Sequence, residues 1–124
     1  MDKYEAYQAY WEQYVNEVYQ SGTVPEDAGF PRITYTIPVA EFEQTVSAEV
    51  NLWDRSTSWK DIKQKSDEIY DAIGLGGVLV PYDNGNGKIW IRRGVPFAQP
   101  MQDADDELVR RMYILLELEF FTNK

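Results

Sequence analysis

Apolar and polar residues alternate most regularly between Glu41 and Leu52. Phe42, Val46, Ala48, Val50 and Leu52 fall on one side, and Glu41, Glu43, Thr45, Ser47, Glu49 and Asn51 on the other, with only Gln44 interrupting the apolar row. A repeat of two is that of a β-strand with one wet face. Upstream, "RITYTIP" puts Ile33, Tyr35 and Ile37 on one side of a shorter strand, so strands are expected within 32–53. Near the other end, "LVRRMYILLELEFF" alternates through Leu108, Met112, Ile114, Leu116, Leu118 and Phe120. A helix there would align Val109, Met112 and Leu116 behind an acidic cap at Asp103, but the alternation favours a last strand over 108–121.

Two segments carry the three- and four-residue spacing of helices instead. Tyr4, Tyr7, Trp11, Tyr14 and Val18 form an aromatic stripe that predicts a helix over 3–20, packed on the chain's own sheet. Trp59, Ile62, Ser66, Ile69 and Ile73 mark a second helix over 58–73, with a Ser58-x-x-Asp61 capping box at its start and Gly74 placed to end it. Capping explains Ser56, Thr57 and Ser58 better than a nucleophile does, since no Gly-x-Ser-x-Gly surrounds them. "VLVPY" and "KIWIRR" flank an Asn-Gly turn and predict a hairpin over 78–93. "SGTVPEDAGFP" and "GVPFAQPMQDADDE" are expected to be loops. The expected architecture is one α+β domain over 1–124: a mostly antiparallel sheet of about five strands with two helices packed on one face.

The hairpin turn resembles a calcium loop at Asn84, Asn86, Gly87 and Ile89. In that register Tyr82 would take the first ligand position and Arg93 the closing one, where a bidentate carboxylate is needed. A phenol is a poor calcium ligand and a guanidinium repels the ion, so the loop is a turn. "GLGG" precedes a strand, the reverse of the order a dinucleotide site needs.

The chain has 124 residues, no cysteine and no histidine, and a net charge of −9. Thiolate sites, disulfides and a Ser-His-Asp triad are excluded, and carboxylates are left as the plausible acid–base groups. The acidic cluster Asp103, Asp105, Asp106 and Glu107 reads as a solvated or capping run rather than a Mg²⁺ or Ca²⁺ site. The strong acidity argues against a duplex-binding surface. No stretch approaches the roughly 18 apolar residues of a membrane span, and the first residues lack a signal peptide's pattern. No catalytic, cofactor or metal residue is therefore assigned. The arginine pairs Arg92–Arg93 and Arg110–Arg111 should each put one member into water, pairing with carboxylates or docking an acidic partner.

Read in order, "FPRITYT", "TVSAEVNLWDRSTSWKDIKQKSDEI" and "GGVLVPYDNGNGKIWIRRGVPFAQPMQDADDELVRRMYILLELEF" resemble the tail terminator (tail-completion) proteins of long-tailed bacteriophages and prophages, over roughly residues 30–121. The resemblance implies a non-enzymatic virion protein, made in the host cytoplasm and carried in the tail. It implies a ring, typically of six copies, on the head-proximal end of the tail tube. The ring would contact the major tail tube protein and the head-completion or neck protein, and DNA would pass through it unbound. Loops at strand ends reach partners, which makes Asp54, Arg55, Arg92, Arg93, Pro96, Phe97 and Met101 the interface candidates. Glu41, Glu43 and Glu49 are candidates to line the lumen. Alternatives are a head-completion or head–tail connector protein, an acidic DNA mimic, and a carboxylate-dependent hydrolase.

Overall fold

In the computed structural model the described residues are 1–37, 44–102 and 106–122. The elements are helix α1 (Lys3–Glu12), strands β1 (Glu17–Gln20), β2 (Arg32–Tyr35) and β3 (Thr45–Arg55), helix α2 (Lys60–Ile73), then β4 (Val78–Tyr82), β5 (Gly87–Gln102) and β6 (Val109–Thr122). The fold is α+β, as the patterning predicts. The six strands form one sheet in the order β1-β2-β3-β6-β5-β4. β1 runs parallel to β2 and every other neighbouring pair is antiparallel, so the sheet is mixed and six-stranded rather than mostly antiparallel with about five strands.

The extra strand comes out of the segment expected to be helical over 3–20. α1 starts as a capped helix: Asp2 Oδ1 accepts from the Glu5 N–H at 2.8 Å, and Glu5 Oε1 accepts from the Asp2 N–H at 3.2 Å. It stops at Glu12, and Glu17–Gln20 pairs with β2 instead. Asn16, Val15 and Val18 are weak helix formers, and strand pairing gives their neighbours' backbone groups partners. The aromatic stripe conceals this break because Tyr14 and Val18 are buried in either conformation. Tyr4, the first residue of the predicted stripe, is 46% exposed.

Two further expectations are corrected. The Ser58–Asp61 capping box does not form, since α2 begins one residue later than such a box requires. Ser58 Oγ accepts instead from the Lys60 N–H at 3.0 Å, and Ser56 Oγ from the Ser58 N–H at 3.1 Å. The "GVPFAQPMQ" segment is not loop but the second half of β5, interrupted by an irregularity between Arg93 and Ala98. Pro96 is tolerated at the irregularity, and Pro100 because β4 pairs only with the 87–91 part of β5, leaving one side of this half as a sheet edge. The 83–86 turn reverses the chain with Asp83, Asn84 and Gly85 all at positive φ, which Asn, Asp and Gly adopt most readily. The end of α2 agrees with expectation: Gly74, at φ 71°, closes the helix with its N–H on the Tyr70 carbonyl at 3.2 Å.

β6 pairs along its length with β3 on one side and β5 on the other, setting Val50 opposite Ile114, Ala48 opposite Leu116 and Leu118 opposite Ile91. These residues, with Ile33, Leu52 and Ile89, form the buried face, and both helices pack on it through Tyr7, Trp11, Ile62, Ile69 and Ile73. Each fully buried Ile or Leu stabilises the fold by about 1.5–3 kcal/mol relative to exposure. Tyr7 meets Trp11 and Tyr35 edge to face, at centroid distances of 5.9 and 5.4 Å.

Candidate functional site

With both helices on one side, the opposite side of the sheet is left bare of helix. Strand alternation fills that side with Trp53, Tyr113, Leu115, Trp90, Phe121 and Leu79. Its strand carboxylates Glu17, Glu49, Glu117 and Glu119 stand against Arg32, Arg55, Lys88, Arg92 and Arg111, and Arg55 is matched by Asp106 in an ion pair. Among the described residues this face therefore carries no net charge.

Three of the cations on the face lie over rings. The Arg92 guanidinium lies 4.2 Å from the Trp90 ring centre, Arg111 5.2 Å from Trp53, and Arg32 4.3 Å from Phe30. Hydrogen bonds fix them further. Arg111 Nη2 contacts Met101 Sδ at 2.9 Å, and Arg92 lies 3.6 Å from Glu119, which itself accepts from Thr45 Oγ1 at 2.8 Å. Trp53 donates its indole N–H to Thr34 at 2.9 Å. The Tyr113 hydroxyl donates to Glu49 at 2.6 Å, and that carboxylate holds the phenol above its ordinary pKa. Stacked guanidinium groups are weakly hydrated and already ordered, so a partner meeting them freezes fewer rotamers. At the centre a shallow depression of about 290 Å³ is bordered by Ser47, Glu49, Tyr113 and Leu115. Beside it Asn51, only 7% exposed, keeps its side-chain carbonyl oxygen without a partner.

The interface candidates named from sequence separate onto different surfaces. Arg92 and Met101 lie on the bare face. Arg93 points the other way: both its Nε and Nη2 donate to the Tyr70 carbonyl, at 3.0 and 2.7 Å, and its guanidinium lies 3.3 Å from the Tyr70 ring centre. Phe97 packs edge to face on the same ring at 5.1 Å. These two residues fasten the β5 bulge to the last turn of α2. Each arginine pair splits as alternation predicts, Arg92 and Arg111 to the bare face and Arg93 and Arg110 to the helix side, with all four half-buried; the Arg110 guanidinium lies 5.3 Å from the Trp59 ring centre. Arg55 is taken up in an ion pair with Asp106, whose carboxyl is held below its usual range by the Leu108 N–H and then by Arg55. Asp54 borders a cavity of about 220 Å³ with Asp61, Ile62 and Lys65. Pro96 is exposed on the bulge. Among the lumen candidates, Glu49 lies on the bare face, while Glu41 and Glu43 fall outside the described residues.

Two exposed apolar residues were not foreseen. Leu75 is 97% exposed just before β4, and Val95 is 94% exposed on the β5 bulge. The register places both at the end of the β4–β5 hairpin away from its turn. Only the glycines and prolines around them hinted that these side chains would be lifted off the core. Among the described residues no cluster of three or more acidic groups is placed to hold a metal ion, and no helix is long and apolar enough to cross a membrane. Compared with known proteins, the chain matches no family model, no curated protein and no solved structure.

Proposed function

We propose that this chain is a structural subunit of a long-tailed phage or prophage that caps the head-proximal end of the tail tube as a ring of six, ends tube polymerisation and offers a surface to the head's neck protein. The observation that carries this reading is the presence of two unlike contact surfaces on one subunit. One is the neutral, aromatic-studded sheet face; the other is the apolar hairpin end at Leu75 and Val95. Rings close head to tail, and each copy must then present two different patches to its neighbours. A subunit whose ring contact is hairpin end into sheet face meets that requirement. The order of sequence segments supplies the identification with tail terminators. The acidic remainder of the surface suits a channel for DNA, since carboxylates do not retain phosphates.

Growth of purified tail tube protein in the presence of the chain tests the reading. Tubes should stop at shorter, uniform lengths and carry a ring of added density at one end in electron micrographs. Leu75→Glu combined with Val95→Glu should fold normally and lose this capping. Tubes that grow equally long with and without the wild-type chain, and end without added density, would overturn the proposal.

A further inference from the structure

We infer that the β4–β5 turn carries a site of spontaneous covalent modification: the folded chain loses the Asn84 side-chain amide by deamidation and keeps that of Asn86. The sequence offers the reaction twice, at Asn84-Gly85 and at Asn86-Gly87. The backbone nitrogen of the residue after the asparagine attacks the side-chain carbonyl carbon, Cγ. A new C–N bond closes a five-membered imide and the Cγ–Nδ2 bond breaks. The proton of the attacking N–H passes through solvent to the leaving nitrogen, which departs as ammonia. Water, the one co-reactant, then opens the imide at either carbonyl and leaves aspartate or isoaspartate; nothing is oxidised or reduced. Glycine favours ring closure because it puts no Cβ in the way. Both asparagines have that advantage, so local sequence does not choose between them.

The fold chooses. Ring closure requires the peptide after the asparagine to swing until its nitrogen meets Cγ. After Asn86 that peptide leads into Gly87, which is buried and opens β5, opposite Tyr82 of β4 on one side and Thr122 of β6 on the other. The Tyr82 ring lies so close over Gly87 that a Cβ there would run into it. Swinging this peptide means parting the ends of two ladders and lifting a ring. After Asn84 the peptide lies at the tip of the turn instead. Asn84 is exposed at φ 55°, and a Cβ on Gly85, at φ 86°, would meet nothing within 4 Å. The Asn86 N–H spans the tip to the Asp83 carbonyl at 3.0 Å, and the Asp83 N–H reaches the Met1 carbonyl at 2.7 Å. Rotation at the tip rearranges a four-residue turn and leaves both ladders paired, and such local openings cost far less than opening strands. Either product adds a negative charge next to Asp83. Isoaspartate also routes the main chain through the side-chain methylene, which lengthens the turn.

Ageing the chain in mildly alkaline buffer at body temperature, with peptide mapping by mass spectrometry at intervals, tests the assignment. A parallel sample unfolded in urea gives the intrinsic rates, which should be similar at the two sites. In the folded chain the loss at Asn84 should outrun that at Asn86 by at least about fivefold, with aspartate and isoaspartate accumulating at 84 first. Asn84→Gly suits the positive φ and should abolish the early release of ammonia from the folded chain, whereas Asn86→Gly should leave it unchanged; circular dichroism melts establish that both variants are folded. Should either variant melt early, the mapping of the wild-type chain decides alone. A smaller ratio than this, a ratio that favours Asn86, or no loss at either site over a time that exhausts the urea sample overturns the inference.

Discussion

Replacing Arg93 with alanine removes a cation that does several things at the end of α2. Its two N–H groups reach the Tyr70 carbonyl at 3.0 and 2.7 Å, its plane covers the Tyr70 ring, and it anchors the strand that carries Phe97 onto that ring. A hydrogen bond to a charged donor contributes roughly 1.5–3 kcal/mol. An exposed cation–π contact adds roughly 0.5–1, and a cation at a helix C-terminus roughly 0.3–1. These terms overlap in one side chain, the site is only half-buried, and the carbonyl keeps the Gly74 N–H. A net loss of about 2 kcal/mol is therefore expected for Arg93→Ala. With an unfolding entropy near 2.1 cal/mol/K per residue, that lowers the melting temperature by about 8 °C. Arg93→Lys keeps the charge but not the two-pronged donor geometry and should recover about half. Urea and thermal unfolding followed by circular dichroism measure both. A loss below about 0.5 kcal/mol for Arg93→Ala, the range of an exposed ion pair, would refute the clamp and return Arg93 to the list of free docking residues.

Other substitutions probe the core and the packing of the bare face. Gly94→Ala would place a methyl 2.8 Å from the backbone carbonyl of Leu115, which cannot move aside; about 2 kcal/mol of stability should be lost in urea titrations, and an unchanged midpoint would show that β5 yields there. Tyr7 buries a hydroxyl with no partner, whereas the Tyr35 hydroxyl donates to Gln8 at 2.5 Å. Tyr7→Phe should accordingly stay within about 1 kcal/mol of wild type at neutral pH, while Tyr35→Phe loses about 1–2; equal losses would contradict the assignment. Burial drives the Tyr7 phenol well above its ordinary pKa, the nearby Trp11 N–H offsetting only part of that. The folded chain thus holds this proton longer than the unfolded one, and its contribution is complete below about pH 10 and fades as pH rises above it. Stability measured from pH 9 upward should fall less steeply in Tyr7→Phe than in wild type, by up to about 1.4 kcal/mol per pH unit; parallel curves would exclude Tyr7 as a source of the alkaline loss.

Strands β3 and β6 were legible in the sequence because each has one face in the core and the other beyond the helices, so period two is written into their residues. α2 was legible for the same reason in period 3.6. β1 was not, because Tyr14 and Val18 satisfy a helical stripe and a break in it equally, and only pairing with β2 decides between them. The second half of β5 was hidden by Pro96 and Pro100, which read as loop residues although the bulge accommodates the first and the open sheet edge the second. The bare face was half visible. Its carboxylates could be placed on the wet side of a strand, but the stacking of Arg92 on Trp90 and of Arg111 on Trp53 depends on side chains brought together across strands. Arg93 shows the same limit in reverse: its neighbour in sequence faces the opposite layer, and nothing local states which of the two reaches the helix.

The place of β6 also bears on how the chain is made. It is the last strand in sequence, yet it lies between β3 and β5, two of the longest strands in the sheet. During synthesis, everything before Val109 can emerge while the sheet remains in two unjoined halves, β1-β2-β3 and β5-β4, each with a long unpaired edge. Such edges recruit other strands. Closure must wait for a single segment to enter between them, pairing along both sides at once and completing the floor on which the helices rest. A nascent chain stalled before that segment would be expected to cling to chaperones or to its neighbours on the same message. Release of the final strand would turn two adhesive fragments into one closed sheet.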